Sequence, residues 1–174
     1  MSCYLLAGGR SNPSDDFSEK GELTQLEATY RRYAAIFESV KLVIKKDQAK
    51  EHYLNYPHVI DESDNRHFAI GIETALKDAR AEAVFVGSSD FHNFPLDLPV
   101  HLVKSYEGES FLGFSESSLN NDNQHLFGIY STEMLPDIIK VAQLPNDKGS
   151  DVIRSQGKFI SVPESAISAT SKAE

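Results

Sequence analysis

The sequence predicts an α/β domain with a mainly parallel sheet, and three observations predict it. Short, mostly apolar runs at residues 4–7, 40–44, 59–60 and 83–86 read as strands, and 40–44 is a compact β-branched run. Between them lie longer segments whose apolar residues recur at helical spacing, which is the strand–helix alternation of parallel crossovers. Each of the four runs also ends in glycine or polar residues: Gly8-Gly9-Arg10, Lys45-Lys46, Asp61 and Ser88-Ser89-Asp90. Open α/β sheets bind ligands outside the carboxyl ends of their strands, so these four ends are candidates to converge on one crevice.

The first strand, Tyr4-Leu5-Leu6-Ala7, breaks directly into Gly8-Gly9. Two glycines allow a sharp turn and bring backbone N–H groups close to a ligand with no Cβ in the way. Arg10 and Ser11 follow, a planar cationic fork and a hydroxyl suited to phosphate oxygens. The pattern is neither a Walker loop nor the Gly-x-Gly-x-x-Gly fingerprint, and an ordinary turn is the competing reading. Residues 12–21 are polar, with Pro13, Asp15, Asp16, Glu19 and Lys20, and read as a loop.

A helix is predicted over 23–37, where Leu23, Leu26, Tyr30, Tyr33, Ala34 and Phe37 fall on one face. The second strand follows at 40–44, then a short helix at 48–54 closed by Asn55-Tyr56-Pro57. The third strand, 59–60, runs into an acidic loop, Asp61-Glu62-Ser63-Asp64-Asn65. A helix over 68–79 precedes the fourth strand at 83–86. In the second half a helix is predicted over 98–106, beginning near Pro99. Strands at 110–115 and 125–130 flank the Asn120-Asn121-Asp122-Asn123 turn and read as an antiparallel addition to the sheet. A helix over 132–141 accommodates Pro136 in its first turn. A last strand is predicted at 158–162. The polar, alanine-rich residues 165–174 read as a fraying tail after a single domain at 1–164.

Composition narrows the function classes. A chain of 174 residues is long enough for one domain with a sizeable core, and 40% hydrophobic with 25% charged residues is ordinary for a globular protein. A formal charge of −9 argues against a general nucleic-acid binder but leaves room for a local cationic site that holds a nucleotide. No apolar run reaches the length of a membrane span, and the N-terminus does not read as a signal peptide, so a cytoplasmic protein is expected by default. Cys3 is the single cysteine and reads as a small strand residue. The six histidines lack metal-ligand spacing. Lys45-Lys46 reads as a solvated surface pair, with anion binding as the alternative.

The strand ends also carry a resemblance. Leu6-Ala7-Gly8-Gly9-Arg10-Ser11, Lys20 after the loop, Val59-Ile60-Asp61, Asp90 after Phe85-Val86, and Gln124-His125-Leu126-Phe127-Gly128-Ile129-Tyr130 follow in the order and at about the separations of the molybdenum cofactor guanylyltransferase family. The chain resembles that family over most of its length, and through it the wider group of nucleotidyltransferases. The resemblance implies a three-layer Rossmann-like fold of the nucleotide-diphospho-sugar transferase type. It implies an enzyme that moves GMP from magnesium-bound GTP to the terminal phosphate of molybdopterin and releases pyrophosphate; a related branch uses CTP. In that reading Leu6, Ala7 and Gly8 line the nucleotide, and Gly8-Gly9 cradles phosphate beside Arg10 and Ser11. Lys20 meets the triphosphate, Asp61 stands near the nucleoside and Asp90 holds Mg2+. Arg10, Lys20 and Asp90 are then the candidate catalytic residues.

The chemistry needs such residues. Attack at the α-phosphorus adds negative charge to an anionic triphosphate, so cations and N–H donors must surround it. Magnesium prefers one or two carboxylates with phosphate and water, and a lysine is a mobile point charge suited to a leaving pyrophosphate.

The sequence departs from the family pattern in the loop, where Asp15, Asp16 and Glu19 stand in place of arginine and glycine. A carboxylate about 6 Å from a phosphate charge is repelled by roughly 3 kcal/mol at an effective dielectric near 20. These side chains must therefore face solvent, hold a metal, or oppose triphosphate binding. The family's Gly-Pro-Leu-Ala-Gly segment is replaced by His67-Phe68-Ala69-Ile70-Gly71, and its late asparagines are missing around Ser161-Val162-Pro163-Glu164. Two other functions stay open beside the enzyme: a non-catalytic nucleotide-binding or partner protein of the same pathway, and a nucleotidyltransferase for another phosphorylated acceptor.

Overall fold

The structure is a computed structural model, and it describes residues 1–7, 25–49, 53, 55–89, 94–115 and 126–162. Seven strands form one sheet: β1 (Ser2–Leu6), β2 (Ser39–Lys45), β3 (His58–Asp61), β4 (Ala83–Ser88), β5 (Phe111–Phe114), β6 (Phe127–Ser131) and β7 (Lys158–Ile160). Their spatial order is β3-β2-β1-β4-β6-β5-β7. The ladders β3·β2, β2·β1 and β1·β4 are parallel, β6 is antiparallel to both of its neighbours, and β7 is parallel to β5. A single reversed strand in a parallel sheet is the antiparallel addition that the sequence predicts.

Among the described residues five helices cover the sheet: α1 (Gln25–Ala34), α2 (Phe68–Asp78), α3 (Asp97–Ser105), α4 (Leu135–Val141) and α5 (Asn146–Gln156). The side-chain alternation of the strands separates two cores. Cys3 and Leu5 of β1, with Phe85 of β4, face Leu26 and Tyr33 of α1 and Leu98 and Leu102 of α3. Tyr4, with Val84 and Val86, faces Ile72 and Leu76 of α2, Ile138 of α4 and Ile153 of α5. The result is three layers, helix–sheet–helix. On the first face the phenylalanines do the work of the missing tryptophan: the Phe85 ring lies 4.9 Å from Phe37, 5.2 Å from Phe127 and 5.7 Å from Tyr33.

Several boundaries differ from the sequence reading, each for a local reason. The predicted helix over 23–37 ends at Ala34, and Phe37 leaves the helix to join the aromatic cluster. Where the sequence predicts a helix at 48–54, a 3-10 turn, Lys46–Gln48, ends in the buried Gln48; residues 50–52 and 54 lie outside the described residues. The helix expected over 132–141 divides into a 3-10 turn, Thr132–Met134, and α4, with Pro136 in the first helical turn. The last strand stops at Ile160 rather than Val162. Helix α5 was not predicted at all. Its sequence is polar and contains Gly149, and only Gly149 and Ile153 are buried, so an apolar stripe barely exists. The Asn120–Asn123 turn and the 165–174 tail lie outside the described residues. Among the described residues no helix is long and apolar enough to cross a membrane.

Candidate functional site

Because β3, β2, β1 and β4 are parallel neighbours, their carboxyl ends emerge along one edge of the sheet. The register sets Leu6 of β1 beside Val43 of β2 on one side and Ser88 of β4 on the other, and sets Lys45 of β2 beside Asp61 of β3. The expected convergence of four strand ends is thus present for Leu6, Ala7, Lys45, Asp61, Ser88 and Ser89. Gly8, Gly9, Arg10, Ser11, Lys20 and Asp90 lie outside the described residues, as does the acidic loop with Asp15, Asp16 and Glu19.

Ala7, the last residue before the double glycine, is held from both sides. Its N–H donates to the Val43 carbonyl at 3.0 Å, and its own carbonyl accepts from the Gln48 side-chain Nε2 at 3.1 Å. The Ser89 N–H donates to the Leu6 carbonyl at 3.1 Å, so β1 stays hydrogen-bonded to both neighbours to its end. Such anchoring fixes the backbone at Ala7. Leu6 itself supports the first turns of α2: a Cβ on Gly71 would stand 3.2 Å from Leu6 Cδ2, so the absent side chain lets the helix rest on it.

Lys45 is not the solvated residue expected from the sequence. Its side chain is buried, and its ammonium donates to Asp61 Oδ2 at 2.6 Å, to the Ser63 carbonyl at 3.0 Å and to the Asn65 carbonyl at 2.5 Å. An ammonium has three N–H groups, and all three are used. The reason is register: Lys45 ends β2 directly beside Asp61 at the end of β3, and an ion pair removed from water survives only with such full hydrogen bonding. Lys46, the next residue, is exposed and 3.5 Å from Glu62, as a surface pair should be.

Asp61 completes the arrangement. Its Oδ1 accepts from the Ser63 N–H at 2.9 Å, so each carboxylate oxygen holds one protein donor, and the residue is 4% exposed. The following loop is tied residue by residue. The Asn65 N–H donates to Ser63 Oγ at 3.2 Å, and the His67 N–H donates to Asn65 Oδ1 at 3.1 Å. His67 then caps α2, its Nδ1 accepting from the Ala69 N–H at 3.1 Å. A ring nitrogen that accepts carries no proton, so the cap requires neutral His67, and burial lowers its pKa from the ordinary histidine value.

Gln48 is the residue that sequence reasoning missed. Its Oε1 accepts from the Lys45 N–H at 2.9 Å while its Nε2 serves Ala7, which bridges β2 to the end of β1. The opposite amide orientation would set oxygen against oxygen and donor against donor, so the network itself fixes the assignment. A signal for the Lys45–Asp61 pair did exist: opposite charges close two consecutive apolar runs, and parallel pairing of those runs would bring them level.

Beyond β4 the chain is gripped from the other face. The Arg32 guanidinium of α1 donates to the Phe94 carbonyl and lies 5.3 Å from the centre of the Phe94 ring. Arg32 thus anchors the chain at Phe94. Among the described residues no group of three or more His, Cys, Asp or Glu side chains is placed to hold a metal. The metal role expected of Asp90 falls on a residue outside them.

No family model matches the chain. A protein of Aquifex aeolicus (strain VF5) named as a probable molybdenum cofactor guanylyltransferase is 30% identical over 140 residues, covering 78% of this chain and 66% of that protein. The chain therefore spans just under two thirds of that relative. A crystal structure of a protein from Aquifex aeolicus VF5 superposes with a TM-score of 0.73 at 26% identity, covering 97% of this chain and 90% of the other. Molybdopterin-guanine dinucleotide biosynthesis protein A from Archaeoglobus fulgidus matches with a TM-score of 0.61 at 15% identity, covering 99% and 98%. A Mycobacterium tuberculosis protein solved as a complex with manganese matches with a TM-score of 0.67 at 16% identity, covering 92% and 87%. With its four parallel strand ends meeting at one edge, the chain has the fold of the nucleotidyltransferases and is a distant homologue of a probable molybdenum cofactor guanylyltransferase.

Proposed function

We propose that this chain is a nucleotidyltransferase of molybdenum cofactor biosynthesis that transfers GMP from magnesium-bound GTP to the phosphate of molybdopterin. A phosphate oxygen of the acceptor attacks the α-phosphorus, the α–β phosphoanhydride bond breaks, and pyrophosphate leaves. The observation that carries the reading is the convergence of Leu6, Ala7 and Asp61 on the edge where β1, β2, β3 and β4 end, in a chain homologous to a guanylyltransferase.

Within this reading Leu6 and Ala7 bound the nucleotide, and the rigidly held Ala7 aims the N–H groups of Gly8 and Gly9 at phosphate. Arg10, Ser11 and Lys20 supply donors and positive charge to the triphosphate. Asp61 stands on the nucleoside side of the crevice. Asp90 would hold Mg2+, which neutralises phosphate charge when bound; a carboxylate is the donor that a hard cation takes, and manganese in a protein of the same fold fits that role. The reading places the reaction in the cytoplasm, and its partner proteins would be those that supply molybdopterin.

One observation favours a second reading. Asp15, Asp16 and Glu19 put three carboxylates in the loop that should meet triphosphate. If they oppose it, the chain is a nucleotide-binding or partner protein that kept the fold without the transfer.

Thermal-shift titration with magnesium and GTP, CTP, ATP or UTP separates these. A ligand at a hundredfold excess over its Kd stabilises the native state by about 2.7 kcal/mol. A magnesium-dependent shift with GTP, followed by pyrophosphate release on adding molybdopterin, is the expected result. A shift with CTP alone redirects the donor assignment, and a shift without pyrophosphate release favours the non-catalytic reading. No shift with any nucleotide sinks the proposal.

A further inference from the structure

We propose that Lys45 and Gln48 form a positioning frame for the nucleotide crevice, and that Asp61 acts through this frame rather than as a direct ligand. The inference rests on the nucleotidyltransferase reading above and deepens it.

The argument starts from connectivity. Hydrogen bonds run without a gap from the Ala7 carbonyl to Gln48, through the Lys45 N–H and along the Lys45 side chain to Asp61, Ser63 and Asn65. From Asn65 they continue to His67 and the first turn of α2. One lysine thus joins the residue that precedes the double glycine to the loop on the far side of the strand ends. Gln48 is 4% exposed and Lys45 is 7% exposed, so water cannot substitute for either partner.

The charges decide the role of Asp61. Its carboxylate faces a buried ammonium at 2.6 Å and accepts the Ser63 N–H at 2.9 Å. Those two donors aim the carboxylate into the protein. A ligand hydroxyl would have to compete with a charge-assisted bond for the same oxygen. Lys45 in turn has no N–H left for a phosphate. Both groups therefore shape the crevice by holding the 62–67 loop and Ala7 in a fixed relation.

A frame of this kind predicts a separation between stability and binding. Lys45→Met leaves the Asp61 carboxylate buried without its partner and lowers the melting temperature. The double variant Lys45→Met with Asp61→Leu replaces the pair by apolar residues of similar volume, a change that is often neutral for stability. The Ser63 and Asn65 carbonyls still lack their donor in that double variant. Its melting temperature should return toward the wild-type value while its affinity for the magnesium-bound nucleoside triphosphate stays about tenfold weaker, a loss of about 1.4 kcal/mol. Gln48→Met cuts the Ala7 link alone and serves where the double variant folds poorly.

The test measures nucleotide affinity by calorimetry at a temperature well below melting, together with amide hydrogen exchange on the free proteins. Faster exchange at Ala7 in Gln48→Met, and at residues 63–67 in Lys45→Met with Asp61→Leu, with weakened nucleotide binding in both, is the expected result. Wild-type affinity in a folded double variant would show a merely structural pair and overturn the proposal. Unchanged exchange at Ala7 in Gln48→Met would break the frame at its first link. Wild-type protein that binds no nucleotide overturns the nucleotidyltransferase reading, and with it the frame's role in binding; equal binding by wild type and variants overturns the frame alone.

Discussion

The Tyr33 hydroxyl of α1 lies 2.5 Å from the position that a β-carbon on Gly87 of β4 would occupy. Tyr33 is fully buried, and its hydroxyl has no hydrogen-bond partner among the described residues. Helix α1 can thus approach the end of β4, one residue before Ser88, only because position 87 carries no side chain. Gly87→Ala should cost about 1–3 kcal/mol, the usual penalty for overpacking a core. Pairing it with Tyr33→Phe should recover part of that loss, because the nearest clashing atom is removed; urea unfolding of the single and double variants checks it. The ring carbon at 2.8 Å prevents full recovery.

Tyr33→Phe alone carries a separate expectation. Burial raises the Tyr33 pKa well above the ordinary tyrosine value, with no compensating hydrogen bond among the described residues. A buried donor without an acceptor costs about 1–3 kcal/mol, so replacing it by phenylalanine should be neutral or stabilising by up to about 1 kcal/mol. A loss of more than that in urea unfolding would mean that the hydroxyl is satisfied.

His67 gives the protein a pH dependence with a definite sign. Burial lowers its pKa in the folded state, so the unfolded chain binds its proton first as pH falls. Its contribution to stability is complete above the unfolded value of about 6.5 and is lost as pH falls from there through the lower folded value. Protonation removes the Nδ1 lone pair that accepts the Ala69 N–H, so the cap of α2 is lost with it. His67→Asn, which offers a cap that does not titrate, should flatten this slope between pH 7 and 5. Thermal unfolding across that range checks it, and an unchanged slope would assign the dependence elsewhere.

At the opposite end of α2, Asp78 behaves in a more acidic window. Burial pushes its pKa up, but hydrogen bonds from Lys41 at 2.6 Å and Tyr4 at 2.7 Å outweigh this and hold it below the ordinary value. The folded pKa is depressed, so this stability is present above the unfolded value of about 3.9 and is lost as pH falls through the folded one. Asp78→Asn should remove that acid dependence and cost about 1 kcal/mol at neutral pH, a modest figure because both charged side chains are about one-third exposed. Acid unfolding of the two proteins side by side is the measurement.

The contrast between these clusters explains what the sequence made legible. Strands β1 to β4 and helix α2 have strong local signals, since each is an apolar run or an apolar stripe closed by turn residues. Helix α5 has none, because Ile153 and Gly149 bury too little to mark a face. At the strand ends, the places of Leu6, Ala7 and Asp61 are legible because each stands where an apolar run closes. Lys45 was misjudged because its environment is set by a strand 16 residues later. Burial of a charge depends on what lies level with it across the ladder, and a pattern along one strand does not contain that. Gln48 was passed over for the same reason: its partners are Ala7 and Lys45, and a glutamine has no sequence signature for bridging two strands.

Asp90 and Lys20 carry the catalytic part of the proposed function. If the chain transfers a nucleotidyl group, Asp90 holds the metal and Lys20 meets the outer phosphates, and the two substitutions must fail in different ways. Asp90→Asn should abolish magnesium-dependent turnover while leaving the melting temperature of the free protein nearly unchanged. Losing the ligand would lose the metal whose positive charge offsets the triphosphate in the transition state. Lys20→Ala should weaken the nucleoside triphosphate by about tenfold and the monophosphate far less, because a lysine on the leaving pyrophosphate has no partner in the shorter ligand. Equal losses for both nucleotides would detach Lys20 from the outer phosphates, and unchanged turnover in Asp90→Asn would end its assignment as the metal ligand. The pair is informative because the acidic loop predicts the reverse. If Asp15, Asp16 and Glu19 repel the triphosphate, neutralising them together as Asp15→Asn, Asp16→Asn and Glu19→Gln should tighten the triphosphate, whereas side chains turned to solvent should leave its affinity within about twofold, since exposed charges are screened over about 10 Å at moderate salt.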